Sequence, residues 1–261
     1  MAKYLNVDFK QARLYQYSAT SGEGFVEHKT QAGKVSYRKY FNKGITGSLL
    51  NVGIKDSKIG ENLVVALKDD ANDIYVLNFN LYDQQGNVDS TFAEPIIRVL
   101  RNLEKGMVYS FKTYLLKAAD QEKYDRENNR EIRQTYRDRR GVSIKTGLGE
   151  RVDNFLMYGK EGEEGENIIP RLVWKPHPTK PNTERPSAAS QEARTDFFIA
   201  ELKEAVEGHL AYEAPESNSS TEEQPAPTEA PKAVTEKTQP QQLVTVEEEA
   251  FDEEEYDDLP F

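Results

Sequence analysis

The chain has 261 residues, of which 34 are Lys or Arg and 45 are Asp or Glu, so its formal net charge is −11. This charge is uneven, because residues 211–261 contain two Lys and fifteen Asp or Glu, a net −13 that leaves +2 on residues 1–210. The absence of cysteine excludes a disulfide framework and thiolate metal ligands, and the three histidines, His28, His177 and His209, are too far apart in sequence to favour structural zinc.

Residues 3–116 are predicted to be β-structure, because short runs rich in Val, Ile, Tyr and Phe alternate with Gly, Asn and Asp. The clearest run is 74–82, where apolar side chains at 75, 77, 79 and 81 predict one buried face. The turn residues 69–73 predict a hairpin that pairs this strand with 63–67 in antiparallel orientation. The predicted strands are 4–9, 13–20, 24–29, 34–41, 45–54, 63–67, 74–82 and 108–116.

One helix interrupts these strands. Thr91 and Glu94 have the spacing of a capping box, and an apolar stripe from Ile96 to Leu103 ends at Gly106. Short strands, one mid-chain helix and a returning strand are typical of a five-stranded Greek-key barrel of the oligonucleotide-binding type, the OB-fold. A sandwich or another small barrel fits the same count. The predicted class is therefore mainly β and OB-fold-like, with a β-rich extension, a C-terminal amphipathic helix and a disordered acidic tail.

Residues 118–140 form a densely charged segment. Arg126, Arg130, Arg133 and Arg137 would line one face if this stretch is helical, at intervals of four, three and four residues. One interpretation is a solvated helix or insertion stabilised by pairs such as Glu122 with Arg126. The other is an arm that follows the phosphates of a nucleic acid.

Beyond Gly141 the predicted strands are 142–145, 152–158 and 168–174, joined by glycine-rich connections. They indicate a small β-meander that is either packed on the first barrel or completes it, within a body of residues 1–175. Four prolines predict an extended linker at 176–189. Residues 190–210 are predicted to form an amphipathic helix that either docks on the barrel or mediates self-association. Residues 211–246, rich in Glu, Pro, Thr, Ser and Gln, predict a disordered tether. The apolar side of the predicted helix carries Phe198, Leu202, Ala205, Val206 and His209.

The stretch 34–43 is the strongest candidate for nucleic-acid binding, because it mixes aromatic and cationic side chains. Proteins hold single strands by stacking bases on aromatic rings while cations follow the phosphates, and stacking contributes about 1–3 kcal/mol per base. Strand alternation places Arg38 and Tyr40 on one face, and Tyr37, Lys39 and Phe41 on the other. The second set could instead be core. We expect at least one of Tyr37, Tyr40 and Phe41 to stack on a base. The candidate residues are Lys34, Tyr37, Arg38, Lys39, Tyr40, Phe41 and Lys43.

The returning strand 108–116 supplies a second candidate pair. Lys112 and Tyr114 would share its outer face, while Tyr109, Phe111 and Leu115 are predicted to be core. A similar aromatic and cationic set, Arg13, Tyr15 and Tyr17, lies near the N-terminus. Trp174 is the only tryptophan, and its place before the proline linker favours a buried lid residue over a platform for a base.

The sequence contains none of the motifs that mark common enzyme classes. There is no Walker loop, dinucleotide-binding glycine pattern, nucleophile elbow or His-Glu-x-x-His motif. Carboxylate pairs such as Asp69 with Asp70, or Asp56 with Glu61, could bind magnesium, but turns explain them more simply. We therefore expect no catalytic residue, no metal and no cofactor. No run reaches the roughly 18 apolar residues of a membrane span, and no signal-peptide core begins the chain, so we expect a soluble, cytoplasmic protein.

The last fifteen residues, 247–261, contain nine Asp or Glu and end in Leu259, Pro260 and Phe261. Such a charged segment buries too little apolar surface to offset its ordering entropy, so we expect it to be disordered in the free protein. A terminal aromatic ring beside a carboxylate suits capture by an apolar slot flanked by Arg or Lys. Residues 1–117 carry sixteen Lys or Arg against twelve Asp or Glu, so a mildly basic body could bind a polyanion that the tail repels.

The terminal sequence Tyr-Asp-Asp-Leu-Pro-Phe, 256–261, resembles the acidic tip of bacterial and many phage single-stranded DNA-binding proteins. The resemblance implies a protein that coats single-stranded DNA, without strong sequence preference, during replication, recombination and repair. It also implies a bacterial or phage-infected host cytoplasm. The body lacks the N-terminal pattern of the bacterial housekeeping protein, which favours a phage or plasmid version. The residues implied to recruit replication and recombination proteins are Asp257, Asp258, Leu259, Pro260 and Phe261.

Two other functions fit the same features. An acidic-tailed protein-interaction or chaperone module would use the tail to shield basic clients. An RNA-binding protein would have a similar architecture and a different nucleic-acid preference.

Overall fold

Each of the eight segments predicted as strands before residue 117 contains a strand in the computed structural model. The structure describes residues 2–29, 35–57, 60–128, 130–132, 135–159, 163, 165–180 and 183–210. All of these lie within one compact unit. The strands are β1 (Ala2–Asp8), β2 (Arg13–Ser18), β3 (Val26–Lys29), β4 (Val35–Phe41), β5 (Ile45–Ser57), β6 (Gly60–Lys68), β7 (Ile74–Asn80), β8 (Val108–Leu116), β9 (Arg139–Thr146), β10 (Met157–Tyr158), β11 (Ile168–Ile169), β12 (Trp174–Pro176) and β13 (Glu184–Pro186). The helices are α1 (Ala93–Ile97), α2 (Ala118–Glu127) and α3 (Ala188–Glu207).

The first nine strands form a single sheet in the order β3-β4-β2-β1-β7-β6-β5-β8-β9. All neighbouring pairs are antiparallel except β1 and β7, which run parallel. The predicted hairpin between β6 and β7 is confirmed, and the Asn72 amide closes its turn by donating to the Asp69 carbonyl at 3.0 Å. The protein is thus mainly β, with one large sheet and few helices.

The 13-residue strand β5 curls this sheet. Residues Ile45–Ser48 pair with β8, Ser48 and the residues after it pair with β6, and a bulge lies between Leu49 and Asn51. A bulge bends its strand and increases the local twist. As a result, Cα atoms of β2 come within 8 Å of β8, although four strands separate them in the sheet order. Gly47 fits here because a Cβ would lie 2.6 Å from the Lys68 carbonyl oxygen.

The main core lies between one face of the sheet and the helices. Leu77, Phe79 and Leu81 are fully buried, which confirms the apolar face predicted for residues 74–82. Val64, Ala66 and Val76 are buried on the opposite face, so β6 and β7 carry buried side chains on both faces. The stripe predicted for the mid-chain helix packs into the main core as α1 and a 3-10 turn at Leu100–Asn102.

The capping box predicted for Thr91 and Glu94 is wrong. Asp89 caps this segment instead, because its carboxylate accepts hydrogen bonds from the amides of Thr91 (3.0 Å) and Phe92 (3.3 Å). Burial raises the pKa of Asp89, with those two bonds opposing the rise. Glu94 is buried and bonded elsewhere, so it is not available for capping.

Among its described residues, the charged segment 118–140 is helical only from Ala118 to Glu127. α2 ends at Glu127, so of the three described arginines predicted to line one helical face only Arg126 lies in a helix. It pairs with Glu122 at 2.6 Å, the solvated pair predicted for this stretch. Arg130 and Arg137 follow in irregular backbone, and Arg133 lies outside the described residues.

The β-meander predicted for 142–174 does not form. β9 joins the main sheet beside β8, whereas β10 and β11 pair with each other in parallel. The predicted proline linker is also not simply extended, because β12 and β13 close it into an antiparallel hairpin.

Helix α3 begins after this hairpin and docks on the body. The Ser187 side chain caps it by accepting from the Ser190 amide, and Phe198, Leu202 and Ala205 are buried. Further along the chain, the Val52 amide donates to the Leu210 carbonyl at 3.0 Å. Of the two roles predicted for residues 190–210, the structure therefore shows docking on the body, through the predicted apolar side of the helix. The tether 211–246 and the tip 247–261 lie outside the described residues.

Candidate nucleic-acid interface

The pairing of β2 with β4 brings two predicted sets of side chains onto one surface. Tyr15 lies directly opposite Tyr40, and Tyr17 lies opposite Arg38. Side chains directly opposed on antiparallel strands share a face, and this one points away from the fully buried Leu14. We call this surface the β2–β4 face; it comprises Arg13, Tyr15, Tyr17, Arg38 and Tyr40.

Asp8 organises the centre of the β2–β4 face. Arg38 Nη1 donates to Asp8 Oδ2 at 2.8 Å, and the Tyr40 hydroxyl donates to the same oxygen at 3.3 Å. The Arg38 guanidinium lies over the Tyr15 ring, 4.3 Å from its centroid, and burial raises the pKa of Tyr15. Because Asp8 compensates its charge, Arg38 orders the aromatic rings around it and is poorly placed to add a cation for phosphate.

Tyr17 and Arg13 are the accessible members of this face. The Tyr17 side chain is 50% exposed, and Arg13 is exposed at the start of β2. Arg13 and Tyr17 therefore offer a cation and an aromatic ring beside the more buried pair Tyr15 and Tyr40, whose ring centroids are 6.1 Å apart. Such a surface is chemically suited to stack a base and hold a phosphate.

The other three residues predicted on β4 point to the core side. Phe41 lies opposite Leu14 and meets the Tyr75 ring edge-on, with centroids 6.0 Å apart. Lys39 is half-buried, and its aliphatic stem passes close to Gly24, where an added Cβ would lie 3.4 Å from Lys39 Cε. Tyr37 is half-buried opposite Ser18. This geometry agrees with the alternative interpretation, in which Tyr37, Lys39 and Phe41 pack on the core side of the sheet.

The remaining candidates are distributed over β8 and the turn after β4. Lys43 is exposed in that turn, and Lys34 lies outside the described residues. Tyr109 and Phe111 are buried, as predicted. Lys112 and Tyr114 alternate with them on the other face of β8. The Tyr114 hydroxyl covers Gly141, where an added Cβ would lie 2.5 Å from it, and burial raises the pKa of Tyr114.

Sequence reasoning missed two features of the structure. Asp8 gave no signal, because a single carboxylate near a turn is unremarkable until Arg38 is placed beside it. Trp174 was predicted to be buried, but it is 56% exposed on β12. The charged residues near it, Lys175 and Arg185, could have indicated that Trp174 faces solvent.

Comparison with protein-family models, curated proteins and solved structures gave no match. Among the residues that the structure describes, no group of three or more His, Asp or Glu side chains could hold a metal ion. No helix in that part of the chain is long and apolar enough to cross a membrane. The tip residues 257–261 predicted to bind partners lie outside the described ranges.

Proposed function

We propose that this chain is a non-enzymatic single-stranded DNA-binding protein that coats DNA without strong sequence preference. The observation that carries the proposal is the β2–β4 face, where strand register gathers three tyrosines beside the exposed Arg13. Its role would be in replication, recombination and repair, in a bacterial or phage-infected cell. The acidic tip, with its likeness to the tips of known single-stranded DNA-binding proteins, supports the same function.

We further propose that part of the sheet is an OB-fold. Five strands lie in the order β7-β6-β5-β8-β9, with α1 between β7 and β8 in the chain. This arrangement supports a Greek-key barrel whose first strand is the long, bulged β5. The N-terminal strand β1 occupies the free side of β7. In this fold class the connection between the fourth and fifth strands contacts nucleic acid, which gives the Arg-rich segment 118–138 a role as a binding loop.

The tip would recruit replication and recombination proteins. Burying the Phe261 ring contributes roughly 2–3 kcal/mol, and charge-assisted hydrogen bonds to carboxylates contribute about 1.5–3 kcal/mol each. After the cost of association, these contributions correspond to dissociation constants in roughly the micromolar range. Binding of this strength permits exchange between partners.

Binding of the full chain to poly(dT) across a salt series tests the proposal. We expect affinity to fall steeply with salt, with a log–log slope of roughly −0.7 for each phosphate neutralised, and to exceed the affinity for duplex of equal length. A filter-binding assay measures both. A matched RNA oligomer is the control. Stronger binding to RNA would favour the RNA-binding alternative, and no binding to either would favour the protein-interaction module.

Replacing Tyr17 by alanine tests the β2–β4 face directly. We expect the affinity for an oligo(dT) to weaken by about 1–3 kcal/mol, the usual loss of one stacked base. Fluorescence anisotropy of labelled DNA measures the change. Tyr17→Phe is the matched control, because it keeps the ring and should bind like the unmodified chain. The side chain is half exposed, so neither variant should alter thermal unfolding appreciably. Equal affinities for Tyr17→Ala and Tyr17→Phe would show that the Tyr17 ring does not contact DNA.

A further inference from the structure

Strands β12 and β13 form a hairpin that is fixed to the body at its base. Trp174 lies opposite Pro186, and Lys175 lies opposite Arg185. The Ser187 amide donates to the Val173 carbonyl at 2.7 Å, and the Val173 amide donates to Ser190 Oγ at 3.1 Å. Because Ser187 and Ser190 begin the docked helix α3, the hairpin projects from a defined point. We call residues 171–186 the cationic hairpin.

The cationic hairpin exposes the only tryptophan in the chain. Trp174 is 56% exposed and Val173 is 55% exposed, so neither serves mainly to fill a core. Tryptophan presents the largest aromatic surface of any side chain, and a large exposed ring is characteristic of a contact surface. An unstacked nucleic-acid base is a flat apolar partner of matching shape.

The cationic hairpin also carries an excess of positive charge. Arg171, Lys175, Lys180 and Arg185 are all exposed, and none forms an ion pair within the described residues. Glu184 is the only acidic residue between 171 and 186, so the hairpin carries a net +3 with neutral His177. Elsewhere in the protein, Arg38, Arg101 and Arg194 are all paired with carboxylates. Uncompensated cations on one short hairpin favour a polyanion as the partner.

His177 forms hydrogen bonds with the described residues between β12 and β13. Its Nδ1 accepts hydrogen bonds from the amides of Thr179 and Lys180, both at 3.2 Å, and its own amide donates to the Thr183 carbonyl at 2.8 Å. These bonds fix the backbone that carries Lys180. The backbone position of Lys180 is therefore fixed before any ligand binds, which reduces the entropy lost on binding.

We infer that the cationic hairpin is a second contact for single-stranded DNA, in which Trp174 stacks on a base while Lys175, Arg185 and Lys180 bind neighbouring phosphates. The register puts Trp174 and the Lys175–Arg185 pair on opposite faces of the two-stranded ribbon. A flexible single strand can cross the ribbon edge with its base on one face and its phosphates near the other. A duplex cannot do so without unstacking. This inference rests on the proposed function and extends the interface beyond the main sheet.

Intrinsic fluorescence tests the inference without any labelling of the protein, because Trp174 is the only tryptophan. The full chain is titrated with an oligo(dT), and tryptophan emission is followed beside the anisotropy of the same oligomer carrying a dye. We expect emission to be quenched over the same concentration range in which anisotropy rises, and both changes to be reversed by salt. If anisotropy rises while emission stays constant, the hairpin inference is wrong and the proposed function stands. If neither signal changes, both are wrong.

Substitutions in the cationic hairpin test whether it contributes to DNA affinity or only lies near the bound DNA. We expect Trp174→Ala to weaken oligo(dT) binding roughly fivefold or more, Trp174→Phe to retain most of the affinity, and Lys175→Ala with Arg185→Ala to lower the salt slope. A matched control, Lys105→Ala with Lys203→Ala, removes the same charge from exposed positions outside the hairpin. The inference fails if the hairpin variants bind no more weakly than this control. Thermal unfolding of each variant checks that the fold is intact.

Discussion

Replacing Glu94 by alanine is expected to lower the free energy of unfolding by about 3–5 kcal/mol. Arg194 Nη2 donates to both carboxylate oxygens of Glu94, at 3.0 and 3.1 Å, and the Tyr158 hydroxyl donates to the same group. The Glu94 side chain is 6% exposed and that of Arg194 is 18% exposed. Removing the carboxylate leaves a nearly buried guanidinium without a counter-charge, and it removes the ionic contact that fixes α3 to α1.

Urea unfolding measures this loss as a lower midpoint at an unchanged slope. Glu94→Gln is the conservative variant; it keeps one acceptor for Arg194 and should unfold between the unmodified chain and Glu94→Ala. Glu204→Ala, on α3, is the matched control. Glu204 also pairs with an arginine, Arg101 at 2.6 Å, but it is exposed to solvent, so its loss should shift the midpoint far less. Equal midpoints for the Glu94 and Glu204 variants would show that the buried pair does not anchor α3.

Truncation after Leu243 is expected to raise the affinity for oligo(dT) about tenfold at low salt. The proposal behind this number is that the acidic tail competes with DNA for the basic body. A tethered segment has an effective concentration on the order of 1 mM, and a dissociation constant of roughly 0.1 mM then gives a tenfold competition. Filter binding at low and high salt measures the change. Salt screens the tail and the body from each other, so the difference should shrink as ionic strength rises.

Removal of Phe261 alone is the control for that truncation. It leaves every acidic side chain of the tail in place, so DNA binding should remain close to that of the unmodified chain, whereas partner capture by the tip should be lost. If truncation after Leu243 lowers DNA affinity or leaves it unchanged, the tail does not compete for the binding surface.

The strand elements could be predicted because their signals are local. Alternation of apolar side chains located β7, and the turn 69–73 fixed its antiparallel pairing with β6. The apolar stripe through Ile96 and Leu103 likewise predicted the buried segment around α1. In each case the residues that decide the structure lie within a few positions of one another.

The interface itself depends on contacts between distant parts of the chain, which local patterns do not encode. Arg13, Tyr15 and Tyr17 were recognised as one set and Arg38 with Tyr40 as another, but only the β2–β4 pairing joins them. Asp8, thirty residues before Arg38, gave no sign of its role. The predicted meander failed for a related reason: β9 pairs with β8 across the charged segment 118–138, and β10 pairs in parallel with β11.

The parallel pairing of β1 with β7 decides when the protein can complete its fold during synthesis. Within the described residues, β1 alone connects β2, β3 and β4 to the rest of the sheet. Its partner β7 begins 72 residues after Ala2, at Ile74. A nascent chain can therefore form the local β1–β2 hairpin early, yet this hairpin has no sheet to join until the ribosome has released β7. A protein that lost its first eight residues would keep the hydrophobic centre of the sheet but lose the attachment of the surface proposed to meet DNA.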